Sequence, residues 1–133
     1  MAIPVRRYVM QWLTLSVVLL GLWACSSPPP EKPVPYVKVE NTAMDGYIEV
    51  NELRWRHKYD LLQFSVNAMN RTNSTVRFQY KFRFYDVDGF EVQPEGRPWT
   101  PVTLTGKEAL NIQVAAPNET VLGAKIYIQE APK

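Results

Sequence analysis

Hydrophobic and polar positions alternate with a period of two over long stretches of this chain. In the clearest run, residues 76–85, five apolar or aromatic side chains share one face and five others share the opposite face. The first set is Val76, Phe78, Tyr80, Phe82 and Phe84, and the second is Arg77, Gln79, Lys81, Arg83 and Tyr85. Because successive side chains of a β-strand lie on opposite faces, the run predicts a strand with one buried and one solvated face.

A second alternating run precedes it at residues 62–69. Its apolar positions are Leu62, Phe64, Val66 and Ala68. The six residues that separate the two runs, 70–75, are mostly Asn, Ser and Thr, which favour turns. We therefore expect the two runs to pair as an antiparallel hairpin.

Shorter alternating segments complete an all-β pattern. They lie at residues 47–50, 53–59, 90–92, 99–104, 110–115 and 122–129. Asp-Gly at residues 88–89 and the segment 116–120 are typical of turns, and a short turn is also expected near residues 42–45. About seven short strands without a helical period predict a single immunoglobulin-like antiparallel β-sandwich, although the Cys and Trp marks of true immunoglobulin domains are absent.

The first 24 residues follow a different pattern. Arg6 and Arg7 precede an almost wholly apolar stretch at residues 9–23. That stretch has about 15 residues, whereas a membrane-spanning helix needs roughly 20. We therefore expect residues 1–24 to be a signal peptide.

The apolar stretch ends in Leu-Trp-Ala-Cys-Ser-Ser at residues 22–27, which resembles the lipobox of bacterial lipoproteins. In that family the cysteine receives a diacylglycerol and becomes the first residue of the mature chain. Ala24 and Cys25 match the pattern, whereas Trp23 stands where a small residue is usual. Ser26 occupies the position of a retention aspartate, so the resemblance implies an outer-membrane lipoprotein that faces the periplasm. The alternative is a free Cys25 thiol after an uncleaved anchor.

The composition of the chain after residue 24 limits the classes of partner that the protein is expected to bind. Residues 26–35 contain five prolines, which predict an extended spacer over residues 25–36 ahead of a domain at 37–133. Removing residues 1–24 takes away two of the 15 basic residues and none of the 13 acidic ones, so the two charges balance. This balance excludes the basic footprint of a nucleic-acid-binding protein.

Few residues of this chain are suited to catalysis or metal binding. His57 is the only histidine, within a basic stretch at 54–58, and lipidation consumes the only cysteine. Asp86 and Asp88 begin like a calcium loop but lack its later ligands, so a turn explains them better. Glu91 and Glu95 carry no sign of a paired acid and base. We therefore expect no catalytic residues, no metal site and no cofactor.

A loop at residues 90–100 is the best candidate for recognition. It contains Glu91, Arg97 and Trp99 together with prolines and a glycine. Trp and Arg are over-represented at binding hot spots, and loops on a rigid scaffold often carry recognition. The alternative is that Trp99 packs on the edge of the sheet.

Residues 80–92, Tyr-Lys-Phe-Arg-Phe-Tyr-Asp-Val-Asp-Gly-Phe-Glu-Val, resemble the central motif of the YcfL-like lipoproteins, a family of small envelope proteins. The flanks at 70–72, 97–99 and 123–128 agree with that family. The resemblance implies a sandwich-like β-fold, a lipid anchor and a periplasmic location, and assigns no catalytic residues. Some members are encoded beside activators of peptidoglycan synthases, which suggests an envelope protein or a peptidoglycan-associated partner. We expect a non-catalytic interaction module. The alternative is a lipoprotein that binds a small ligand or glycan strand in a loop pocket, with Trp99 and Tyr85 around it.

Overall fold

The computed structural model describes residues 27–133, in which every regular element is a β-strand. The strands are β1 (Tyr36–Glu40), β2 (Ile48–Lys58), β3 (Leu61–Asn70), β4 (Val76–Asp86), β5 (Glu91–Val92), β6 (Thr100–Leu104), β7 (Ala109–Ala115) and β8 (Val121–Glu130). These strands belong to one unit, Pro33–Lys133. The predicted signal peptide and Cys25 lie outside the described residues. No helix of residues 27–133 is long and apolar enough to cross a membrane.

The eight strands form two sheets, which confirms the predicted all-β sandwich. One sheet has the order β1-β8-β4, and both β5 and β6 pair with the other edge of β4. The second sheet has the order β2-β3-β7. Two details differ from the expectation: there are eight strands, and β1 pairs with β8 in parallel rather than antiparallel. A parallel pair is possible here because β1 and β8 are joined through the rest of the domain and not by a hairpin.

The alternation correctly identifies the buried face of the three longest central strands. The buried side chains include Leu62, Phe64, Val66 and Ala68 of β3, Phe78, Phe82 and Phe84 of β4, and Ala124, Ile126 and Ile128 of β8. The rings of Phe64 and Phe84 meet between the two sheets, with centroids 6.0 Å apart. Apolar side chains from both sheets therefore share one core.

The predicted hairpin of β3 and β4 is wrong. β3 lies between β2 and β7, so both of its edges are occupied, and β4 belongs to the other sheet. The loop at 71–75 carries the chain from one sheet to the other. An alternating strand buries the same face whether its neighbour in sequence pairs beside it or lies opposite it across the core, so the pattern could not distinguish these arrangements.

The two short strands predicted at 47–50 and 53–59 are one strand, β2. Its pairing with β3 shifts between Asn51 and Arg54, which leaves one extra residue in β2. Glu52, inside this bulge, has a φ of 51°. A bulge exchanges the inward and outward positions along a strand, which is why the sequence pattern looked interrupted.

The turn predicted at Asp-Gly is confirmed and connects β4 to β5. The Asp86 carboxylate accepts hydrogen bonds from the backbone amides of Asp88 and Phe90, at 3.0 and 2.9 Å. Gly89 has a φ of 83°, a conformation that residues with a side chain rarely adopt. Local chemistry therefore sets this turn, and the turn places Glu91 beside β4.

Candidate functional site

Two of the three residues of the predicted binding loop lie on the outer face of the five-stranded sheet. Glu91 pairs with Tyr85 across β4 and β5, and its carboxylate is 3.7 Å from the Nε of Arg83. Trp99 precedes β6, and the ammonium group of Lys81 lies 4.6 Å from its ring centroid. Trp99 is half-buried, so its side chain is partly exposed on this face and partly packed against the protein.

Arg97, the third residue, contacts the core instead. Its guanidinium lies 4.3 Å from the ring centroid of Phe84, which is fully buried. Its Nε also donates a hydrogen bond to the carbonyl of Gln93 at 3.1 Å. The structure therefore does not bring Arg97 together with Glu91 and Trp99 on one surface.

The strand register assembles a larger surface around Glu91 and Trp99, on the outer face of β1, β8 and β4. Arg83, Lys125 and Lys38 are directly opposite one another on the three strands. Two further rows flank this one in the same register: Tyr85, Gly123 and Tyr36 on one side, and Lys81, Tyr127 and Glu40 on the other. We name this surface, with Glu91 and Trp99 at its margin, the aromatic–cationic face.

Each of four cations on the aromatic–cationic face lies against an aromatic ring. The distances to the ring centroid are 5.2 Å for Lys38 and Tyr36, 4.6 Å for Lys81 and Trp99, 4.9 Å for Arg83 and Tyr127, and 5.0 Å for Lys125 and Tyr85. Such contacts contribute about 0.5–1 kcal/mol at exposed sites. The aromatic side chains thus hold the cations in defined positions along the sheet.

Positive charge on the aromatic–cationic face is mostly uncompensated. Within residues 27–133, the ion pairs are Arg54 with Glu52, Arg71 with Glu49, and Arg83 with Glu91. Only the last is on this face, so the ammonium groups of Lys38, Lys81 and Lys125 have no carboxylate within 4.0 Å in this part of the chain. Like charges directly opposite one another destabilise a sheet, so the cationic row has an energetic cost.

The Tyr85 hydroxyl is the one strongly perturbed titratable group that the structure shows in this surface. Partial burial raises the pKa of Tyr85 to about 12, and its contact with the Tyr127 hydroxyl adds to the effect. The two oxygens are 3.2 Å apart. Because Tyr85 stays neutral at physiological pH, its hydroxyl adds no negative charge to the face.

The remaining residues singled out in the sequence lie apart from this face. His57 is on the exposed end of β2, where its ring meets Trp55 edge-on with centroids 6.0 Å apart. Asp86 is occupied in the turn after β4. Among residues 27–133, no group of three or more His, Cys, Asp or Glu side chains is placed to hold a metal ion.

A depression lies beside Arg97, between the 93–99 loop and the edge of β7. Its lining includes Lys81, Phe82, Gly96, Arg97 and Gln113. Tyr85 and Trp99, around which the alternative loop pocket was expected, do not line it. The depression therefore meets the aromatic–cationic face only at Lys81.

Sequence reasoning placed several residues of the face on solvated sides of strands without recognising them as one surface. Arg83 and Tyr85 in β4, and Lys125 and Tyr127 in β8, alternate with buried positions as the pattern predicts. The surface was not recognised because β1, which contributes Tyr36 and Lys38, was not predicted as a strand. An excess of Tyr, Lys and Arg at the outward positions of two strands was the available hint.

Solved protein structures resemble this chain. A DUF1425 family member from Shewanella sp. pv-4 is 27% identical, with a TM-score of 0.60 over 65% of this chain and 80% of that one. The Campylobacter jejuni protein cj0090 is 15% identical, with a TM-score of 0.57 over 71% of this chain and 97% of that one, a likeness of fold alone. The sequence has no match among curated proteins.

The match to a family model covers nearly the whole folded unit. The model is described as a protein of unknown function, DUF1425, and it matches residues 36–130. These residues begin with β1 and end with β8, so the match includes every strand of both sheets. The chain therefore belongs to the DUF1425 family.

Proposed function

We propose that this protein is an outer-membrane lipoprotein of the YcfL-like kind, which faces the periplasm and acts as a non-catalytic interaction module. The anchor is supported by the lipobox-like residues 22–27, with Cys25 as the lipidated residue. The spacer is supported by Ser27–Pro35, which contains no strand or helix and is almost wholly exposed. Such a proline-rich segment reaches about 30 Å when extended.

The observation that carries the interaction role is the aromatic–cationic face. It presents ordered rings and lysines that have no carboxylate of residues 27–133 within 4.0 Å, although Glu40 and Glu91 lie on the same face. Tyr, Trp and Arg are enriched where proteins bind partners, and a rigid sheet holds them in place before binding. A lipid anchor raises the local concentration of this face near other envelope components.

The anchor is tested by labelling cells with an alkyne analogue of palmitate and separating the membranes. We expect label on the native protein, which sediments with the outer membrane, and neither result for Cys25→Ser. Ser27→Cys in the Cys25→Ser background is the matched control, because it restores a thiol two positions later, outside the motif. An unlabelled native protein would overturn the proposed anchor.

The interaction role is tested by a photo-crosslinking amino acid placed in intact cells at Gln129, which lies on the outer side of β8 beside Gln79. The control places it at Asn111, an exposed residue of the three-stranded sheet. We expect a crosslinked species from Gln129 that Lys125→Gln removes and that Asn111 does not form. Identical products from both positions would contradict a specific face.

A second candidate function is binding of a small ligand or glycan strand in a loop pocket. The depression beside Arg97 favours it, because a guanidinium and the Gln113 amide lie at its wall. Nuclear magnetic resonance with a short sugar ligand separates the two candidates. Shifts at Gly96 and Gln113 would support the loop pocket, whereas shifts at Lys125 and Tyr127 would support the aromatic–cationic face.

A further inference from the structure

The central row of the aromatic–cationic face has the geometry of a site for a multiply charged anion. Arg83, Lys125 and Lys38 occupy equivalent positions on three adjacent strands. Adjacent strands are about 4.8 Å apart, so the row spans roughly 10 Å. Within residues 27–133, Arg83 is the only member of this row with a carboxylate partner, Glu91, and that contact is long at 3.7 Å. A ligand with several negative charges along its length would relieve the repulsion in this row.

Aromatic side chains border the cationic row on both sides. Tyr85 and Tyr36 lie two positions along the strands in one direction, and Tyr127 lies two positions along in the other. Two residues of a strand span about 7 Å. A side chain at Gly123 would collide with the ring of Tyr36, so the missing Cβ allows that ring to lie over the strand. Ring surfaces therefore border the cationic row on both sides, and the row that contains Tyr127 also holds Lys81 and Glu40.

We propose that the aromatic–cationic face binds an acidic glycan strand. The carboxylates or phosphates of the strand lie along Arg83, Lys125 and Lys38, and its sugar rings lie against the flanking tyrosines and Trp99. Gln129, a half-buried residue on the same side of the sheet, supplies an amide for the sugar hydroxyls. The proposal rests on the interaction role above and specifies the chemistry of its partner.

The composition of the face favours a glycan over a protein partner. The buried centres of protein interfaces are depleted in lysine, whereas three of the four cations here are lysines, each over a ring. A strand of charged sugar rings complements such a surface, because each repeating unit offers both an anion and a ring. An acidic polypeptide and an anionic membrane are therefore treated as competing outcomes of the test.

The test measures binding of the lipidated protein, purified in non-ionic detergent, to four probes. Polygalacturonate carries carboxylates on sugar rings, dextran has rings without charge, polyglutamate has charge without rings, and vesicles with phosphatidylglycerol present anionic headgroups. We expect binding to polygalacturonate that weakens as salt rises, because exposed charges are screened. We expect much weaker binding to the other three.

Two pairs of variants assign the binding to the face. Lys125→Gln is expected to weaken polygalacturonate binding about tenfold or more, since a lost contact to a charged group is that costly. Lys58→Gln is the matched control, because Lys58 also lies over a tyrosine, 5.6 Å from the ring of Tyr59, but on the other sheet. Tyr127→Leu, which removes the ring, should weaken binding about threefold or more, whereas Tyr127→Phe should retain it.

Each outcome decides the proposal. Equal binding of polyglutamate and polygalacturonate would show that sugar rings are not required. Binding to vesicles without binding to polygalacturonate would show that the ligand of the face is an anionic membrane and not a glycan. Equal losses for Lys125→Gln and Lys58→Gln would show that net charge and not this face is responsible. Absence of binding to all four probes would overturn the proposal that the face binds an acidic glycan. The palmitate label and the Gln129 crosslink would still test the proposed function separately. Thermal unfolding of every variant verifies that it is folded.

Discussion

At the scale of single residues, Asn70 shows how one polar side chain directs the chain between sheets. It is fully buried at the end of β3. Its amide donates hydrogen bonds to the carbonyls of Ser74, Leu104 and Thr105 at 2.6, 3.2 and 2.9 Å. Its side-chain oxygen accepts from the amide and hydroxyl of Thr72. Asn70 thus supplies the hydrogen bonds that a strand ladder cannot supply at the crossing.

Asn70→Ala should lower the free energy of unfolding by about 2–4 kcal/mol, because it leaves buried carbonyl groups without donors. Urea denaturation measures the change. Asn73→Ala, at an exposed position in the same loop, is the control and should change stability by less than about 0.5 kcal/mol. Equal effects of the two substitutions would mean that the network around Asn70 contributes little.

The ionisation of Tyr85 makes the stability of the fold depend on pH. Its pKa rises from 10.0 in a free tyrosine to about 12, first because of burial and then because of the Tyr127 hydroxyl. Folding therefore favours the protonated phenol. This contribution to stability is complete below pH 10.0 and is lost as the pH rises toward 12, since the unfolded chain ionises first.

Absorbance of the phenolate during an alkaline titration should show a late step that Tyr85→Phe removes. Tyr127→Phe should move that step to lower pH, although burial keeps the pKa of Tyr85 above 10.0. Tyr47→Phe, an exposed tyrosine outside the face, should leave the late step in place. A titration in which Tyr85→Phe removes no late step would contradict the assignment.

At the scale of elements, loops hold the strands of the two sheets together where no ladder joins them. The turn between β6 and β7 passes close to the loop between β3 and β4. Lys107 donates its backbone amide to the Thr72 carbonyl at 3.0 Å, and Glu108 accepts from the amide of Thr105 at 2.7 Å. Gly106 lies at the closest approach, where an added Cβ would be 2.5 Å from the Asn73 carbonyl oxygen.

Gly106→Ala should destabilise the domain by about 1–3 kcal/mol, because the new methyl group meets backbone atoms that cannot rotate away. Gly46→Ala is the matched control, since a Cβ there meets nothing within 4 Å. Chemical denaturation compares the two variants directly. If Gly106→Ala is as stable as Gly46→Ala, the two loops are not in close contact.

At the scale of the whole molecule, β1 connects the proposed spacer to the core. It is an edge strand whose five residues pair with Gly123–Tyr127 of β8, and Val37 and Val39 pack against the buried cluster. The same strand contributes Tyr36 and Lys38 to the aromatic–cationic face. A domain that lacks β1 would therefore lose both part of its core and part of its proposed site.

Truncation tests this dependence. A chain that begins at Pro33 should unfold at the same urea concentration as one that begins at Ser26, because residues 27–32 are outside the folded unit. A chain that begins at Asn41 should be about 2–4 kcal/mol less stable, since two partly buried valines and the cover of the β8 edge are removed. Equal stability of all three chains would show that β1 is dispensable.

The sequence by itself determined the class of fold and the buried face of the long central strands. A period of two assigns alternate side chains to core and solvent without reference to any other segment, so the inward positions of β3, β4 and β8 followed directly. The turn at Asp86–Gly89 followed as well, because its hydrogen bonds and its glycine are local. Glu91 and Trp99 were singled out from local sequence as well, as an acidic and an aromatic residue in a short loop, and their role in binding stays a prediction.

Only the tertiary structure decided which strands are neighbours and in which register they pair. It separated β3 from β4, joined the two halves of β2, placed β1 parallel to β8 and turned Arg97 toward Phe84. The same pairing brings Lys38 and Lys125 to adjacent positions although they are far apart in sequence. Alternation fixes the face of a strand, but its partner and register depend on contacts between distant segments, so a site spread over three strands exists only in the folded molecule.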